Sequence, residues 1–144
     1  MVCPKPVGLV TPLNLTFMGD SKTAANLFQP TLLRNLEAVT DYRPITSAQL
    51  ATGGWKVADL DSAATAWLAS ATNTPDWVLI NIGVNDLTGA TSQASFEASL
   101  ASVLDKVHAK WASAKVRVAL IWKRNGDAAS DLIDTWITNV DWAY

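Results

Sequence analysis

A chain of 144 residues, 49% hydrophobic and 17% charged, is sized for one globular domain that buries about two-thirds of its unfolded surface. A formal net charge of -2, with Lys123-Arg124 the only adjacent basic pair, excludes a basic nucleic-acid surface and favours small, neutral substrates or partners. The lone cysteine, Cys3, excludes an internal disulfide. One histidine and one cysteine cannot assemble a metal site, and no stretch approaches the ~18 consecutive apolar residues of a membrane span.

In chain order, residues Met1 to Pro12 carry Pro4, Pro6, Gly8 and Pro12 and predict an extended surface arm. The N-terminus lacks the charged segment and long apolar core of a signal peptide, so a secreted chain would already have lost its signal, and the compartment is open. Leu13-Asn14-Leu15-Thr16-Phe17-Met18 alternates as a strand and breaks abruptly at Gly19-Asp20-Ser21. A helical turn is expected over Ala24 to Phe28, then a helix opening at Pro30 and carrying Leu32, Leu33 and Leu36 to about Val39. Ile45 to Leu50 is a strand candidate closed by Thr52-Gly53-Gly54. Leu60, Ala63, Ala64, Trp67 and Leu68 recur at helical spacing over about Lys56 to Ala69.

Asn73 to Asp76 is a loop, and Trp77-Val78-Leu79-Ile80-Asn81-Ile82 is a nearly unbroken apolar run, as in a strand covered on both faces. It ends in a second polar break, Gly83-Val84-Asn85-Asp86. Phe96, Leu100, Val103, Leu104, Val107 and Trp111 mark one face of a helix from about Gln93 to Trp111. Lys115 to Trp122 is a further strand, and Asn125-Gly126-Asp127 turns the chain into a final helix bearing Leu132, Ile133, Trp136 and Ile137 and ending near Asn139. Strands alternating with helices predict an α/β domain with a parallel sheet and right-handed crossovers. In such a sheet the loops at the carboxyl ends of the strands form the site.

Three of those loops begin with Ser21, Gly54 and Asn85, and their chemistry is complementary. A serine at a strand-to-helix turn stands near free backbone amides. It is therefore either a helix cap, as Asp20-Ser21 is by residue type, or a nucleophile. If it attacks a carbonyl, the Gly54 N–H can approach the developing oxyanion without side-chain obstruction. The Asn85 carboxamide and the Ser21 N–H can donate further bonds to it. Trp55, beside the paired glycines, is the aromatic best placed to line a pocket. The other tryptophans fall on apolar helix faces or strand ends and read as core or rim.

Gly19-Asp20-Ser21-Lys22-Thr23, then Gly54 five residues before Asp59, then Gly83-Val84-Asn85-Asp86 resemble, in order, the first three blocks of the SGNH or GDSL hydrolases. These are serine esterases and lipases of a flavodoxin-like α/β fold, and the likeness covers about residues 13 to 90. It implies a three-layer sandwich of strand order 2-1-3-4-5, Ser21 as nucleophile, and Ser21, Gly54 and Asn85 as the oxyanion hole, with no cofactor. The family's last block, Asp-x-x-His, has no counterpart here. His108, near the far end of its helix, is expected ~20 Å from the rim bearing Ser21. Its bland role is a solvated or partly packed helix residue.

With no fifth strand in prospect, residues 1–144 are expected to form one domain incomplete at its C-terminus. A C-terminal segment or companion chain would cover strand Lys115 to Trp122, partner the final helix, and supply the His-Asp pair. The expected function is a serine ester hydrolase acting on a short acyl ester, a carbohydrate O-acetyl group being one candidate. The alternatives are a degenerate domain that binds such a ligand without turnover and an assembly module. Asp20 and Asp86 are expected to fix turns and cap helices, and Asp59 to cap or salt-bridge the helix from Lys56.

Overall fold

The computed structural model describes residues 12–39, 45–119 and 128–141. The expected N-terminal arm, the Asn125-Gly126-Asp127 turn and the end of the last predicted strand lie outside these residues. The elements run β1 (Leu13–Gly19), α1 (Ser21–Ala24), α2 (Gln29–Val39), β2 (Ile45–Ala51) and α3 (Val57–Ser70). They continue with β3 (Trp77–Asn81), α4 (Val84–Thr88), α5 (Gln93–Lys110), β4 (Lys115–Val118) and α6 (Ala128–Asp141). The four strands form one sheet in the order β2-β1-β3-β4, and every pairing is parallel. That is the expected flavodoxin-like order over the described strands, and β1 and β3 flank the point where it reverses.

Side-chain alternation along β1 divides the core. Leu13, Leu15 and Phe17 face Leu32, Leu33 and Leu36 of α2 and Phe28 just before it, and the Phe17 and Phe28 rings pack edge to face at 5.9 Å. Met18, with Val78 and Ile80 of β3, faces the larger cluster. This is built from Val57, Leu60, Ala64 and Leu68 of α3 and from Phe96, Leu100, Val103, Leu104 and Val107 of α5. Those helical residues recur every three or four positions, so each helix buries a single stripe. Trp67 and Trp111 meet edge to face at 6.0 Å. The Trp111 indole N–H donates to the Asn73 carbonyl at 2.9 Å, the core role expected of most tryptophans.

Three expectations are revised. The first helical turn is α1, beginning at Ser21 rather than Ala24, because Asp20 caps it at once, its Oδ1 accepting the Lys22 N–H at 3.0 Å. Asn26 at φ 54 then turns the chain away, leaving Leu27 70% exposed. Secondly, β3 is not buried on both faces. Trp77 and Leu79 are half-buried: they edge the cluster of Leu13, Leu15 and Phe17, and cations of β4 flank Trp77, Lys115 Nζ at 5.1 Å and Arg117 at 5.3 Å from the ring centre. β4 runs over Lys115–Val118, and the end of that predicted strand lies outside the described residues. Thirdly, the final helix extends to Asp141, and its apolar face does not await an external partner. Ile133, Trp136 and Ile137 are buried in this chain, Trp136 against Phe96 at 5.7 Å, because α6 lies beside α5. Only Leu132 of the four named residues stays exposed.

Candidate active site

The three polar breaks converge because parallel strands end on one rim. Asp20 N–H donates to the Asn81 carbonyl at 3.2 Å and Thr52 N–H to the Gly19 carbonyl at 3.3 Å, tying the ends of β1, β2 and β3 together. A Cβ added to Gly19 would lie 2.1 Å from the Asn81 carbonyl oxygen and 2.6 Å from Thr23 Oγ1. Position 19 is thus a glycine because the β3 backbone and the Thr23 hydroxyl pass where a side chain would begin. Ser21, the next residue but one, opens α1 and is exposed.

The turn after β2 joins the other two breaks to this serine. A Cβ built on Gly53 would lie 3.8 Å from Ser21 Cβ, so one side of the turn passes close to the serine. On its other side the Asn85 Nδ2 donates to the Trp55 carbonyl at 2.8 Å. Between them Gly54 has φ 84, a left-handed conformation that costs an L-residue roughly 1–2 kcal/mol. The structure therefore brings Ser21, the Gly53-Gly54 turn and Asn85 into one contiguous group. Among the described residues no hydrogen bond uses the Ser21 N–H, the Gly54 N–H or the Ser21 hydroxyl. Trp55 is half-buried and packs on the main core, and it is its carbonyl that reaches Asn85.

Both acids of these breaks do structural work, as expected. Asp20 is 1% exposed, and burial raises its carboxyl above the ordinary value against the opposing pull of the Lys22 N–H and charge. Asp86 is equally buried. Its Oδ2 accepts the Val57 N–H at 3.0 Å and so caps a helix 29 residues earlier in sequence. Burial raises this carboxyl too, opposed first by that N–H. Asp59 caps the same helix locally, its Oδ2 accepting the Lys56 N–H at 2.9 Å, and Lys56 Nζ donates to the Gly89 carbonyl at 3.2 Å. The cross-loop reach of Asp86 and Lys56 was missed in the sequence, where no pattern pairs positions 29 and 33 residues apart.

His108 stands where its helix phase placed it, exposed on the last turn of α5. It lines a cavity of about 350 Å³ with Lys115, Val116 and Arg117, at the amino end of β4. That is the end of the sheet opposite Ser21, so the structure does not bring His108 to the serine. Among the described residues, no group of three or more His, Cys, Asp or Glu side chains could hold a metal ion, and no helix is long and apolar enough to cross a membrane.

The fold has close parallels among solved structures. TesA superposes with a TM-score of 0.72 at 25% identity, over 90% of this chain and 73% of that one. A family 3 carbohydrate esterase of Clostridium thermocellum gives 0.76 at 18% identity, over 92% and 72%. Axe2, an acetylxylan esterase from Geobacillus stearothermophilus, gives 0.71 at 20% identity, over 92% and 72%. No curated protein sequence matches the chain. A family model, however, matches residues 17–141, from the strand that delivers Ser21 to the last turn of α6. The chain belongs to the GDSL-like lipase/acylhydrolase family.

Proposed function

We propose that the protein is a serine ester hydrolase acting on a short acyl ester, with Ser21 as its nucleophile. The observation that carries this reading is the turn after β2, which runs close beside Ser21 at Gly53 and bonds Asn85 through the Trp55 carbonyl. The Ser21 Oγ attacks the ester carbonyl. The oxyanion is held by the Ser21 and Gly54 N–H groups and the second Nδ2 hydrogen of Asn85, and the alcohol leaves with a proton as the acyl-serine forms. Water then releases the acid. Trp55 borders the substrate on the β2 side. Losing one such oxyanion donor typically costs ~3 kcal/mol of transition-state stabilisation, so three donors supply much of the rate. The substrate class, a carbohydrate O-acetyl group, is suggested by the carbohydrate esterase and the acetylxylan esterase among the structural neighbours.

Activation of Ser21 needs a base that His108 does not provide. In this reading a further segment or companion chain brings a His-Asp pair to the rim, pairing along the edge of β4, whose only partner among the described strands is β3. The imidazole takes the Ser21 proton and passes it to the leaving alcohol. A second reading, favoured by the place of His108, is a domain that binds an acylated ligand without turning it over. Release of p-nitrophenol from p-nitrophenyl acetate tests the two. A burst abolished by Ser21→Ala supports the hydrolase, and a slow rate unchanged by that substitution supports the binder.

A further inference from the structure

α4, which carries Asn85, has five residues, far below the length at which a helix holds its own shape in water. The direction of the Asn85 carboxamide must therefore be set from outside, and three bonds from the neighbouring loop do so. Asn85 itself donates to the Trp55 carbonyl. Asp86 Oδ2 accepts the Val57 N–H. At the other end of α4, Lys56 Nζ donates to the carbonyl of Gly89, the residue that closes α4 through its own N–H to the Asn85 carbonyl at 3.0 Å. The lysine lies flush against that residue, since a Cβ on Gly89 would be 2.3 Å from both Lys56 Cε and Nζ. Lys56 and Val57 directly follow Trp55 and Gly54, so the same backbone that presents the Gly54 N–H grips α4 at both ends.

We propose that Lys56 and Asp86 are positioning residues, a two-ended clamp that fixes the Asn85 carboxamide relative to the Gly54 N–H so that both point at one oxyanion. The proposal rests on the ester-hydrolase reading and adds to it two residues that touch no substrate. Their effect falls on kcat, because the donors they align bind the oxyanion more strongly than the ground-state carbonyl. A shift of about 1 Å in such a donor is enough to cost up to about a hundredfold in rate.

The test measures p-nitrophenyl acetate turnover on the full chain, together with ¹⁵N spectra of the Gly54 amide and the Asn85 side-chain amide. Lys56→Met is expected to lower kcat about tenfold with KM within about twofold, and Asp86→Ala to lower it about a hundredfold. Asp86→Asn keeps an acceptor for the Val57 N–H and should remain within about threefold of the parent. Gly89→Ala displaces the lysine and also brings a Cβ to 2.9 Å from the Asn85 carbonyl oxygen, so it should lower kcat at least as much as Lys56→Met. Asp59→Ala removes a cap from the same turn of α3 but no cross-loop bond, so it should lower the melting temperature and leave kcat unchanged. In the first two variants the Asn85 side-chain resonances should shift. If they stay in place, or if Asp59→Ala lowers kcat as much as Lys56→Met, the clamp is refuted. If the parent, assayed with the segment that supplies the His-Asp pair present, shows no turnover that Ser21→Ala removes, the hydrolase reading falls, and the Gly54 and Asn85 resonances alone decide whether the clamp exists.

Discussion

Adding one methyl group at Gly19 tests whether the rim is built as described. A Cβ there would meet the Asn81 carbonyl oxygen at 2.1 Å, more than 1 Å inside ordinary contact, and the Asn81 carbon at 3.0 Å. Backbone, unlike the end of a flexible side chain, cannot swing aside, so β1 and β3 must separate at their carboxyl ends. The first bond lost is Asp20 N–H to Asn81 carbonyl, already 3.2 Å long. Losing that bond costs about 1 kcal/mol, and overpacking a tight interior adds about 1–3 kcal/mol. Gly19→Ala should therefore lose about 3 kcal/mol, or roughly 10 °C in melting temperature for a domain of this size. Urea and thermal unfolding followed by circular dichroism measure it. Gly54→Ala is the comparison: its φ is 84 but nothing lies within 4 Å of the added carbon, so only backbone strain of about 1–2 kcal/mol applies. If Gly19→Ala proves within about 0.5 kcal/mol of the parent, or costs less than Gly54→Ala, the close approach of β1 to β3 at the serine is wrong.

Two further outcomes follow from the interior. Burial holds the Asp20 and Asp86 carboxyls above the value of 3.8 they take when unfolded, so between the unfolded and folded values the native state binds more protons. Their contribution to stability is complete below 3.8 and is lost as pH rises through the folded values. Asp86→Asn should flatten this decline in urea titrations run from pH 3 upward, and an unchanged profile would contradict it. Phe96 is fully buried against Trp136, so Phe96→Ala should cost about 3–5 kcal/mol and shift tryptophan emission. A loss below about 1 kcal/mol would mean that α6 does not rest on α5.

Periodicity made most of the elements legible, because burying one stripe per helix and alternate residues per strand leaves a mark at fixed spacing. The stripes of α3 and α5 and the run of β3 were readable to within a residue or two. Boundaries set by single hydrogen bonds were not: α1 starts at Ser21 because of one Asp20 to Lys22 contact, which residue type alone could not separate from a later start. The partial exposure of Trp77 and Leu79 was equally hidden, since it depends on what the rest of the fold lays over that face rather than on either residue.

The identities of Ser21, Gly54 and Asn85, and their places just after strands, are properties of the linear chain, since each breaks an apolar run with a residue suited to acyl transfer. That they meet is a property of the parallel sheet, which puts the ends of β1, β2 and β3 on one rim although 64 positions of sequence separate serine and asparagine. Tertiary structure alone also decided which distant backbone groups Lys56 and Asp86 reach. Hydrogen bonds between loops are settled by which backbones pass within about 3 Å of each other, and a one-dimensional pattern carries no record of that distance.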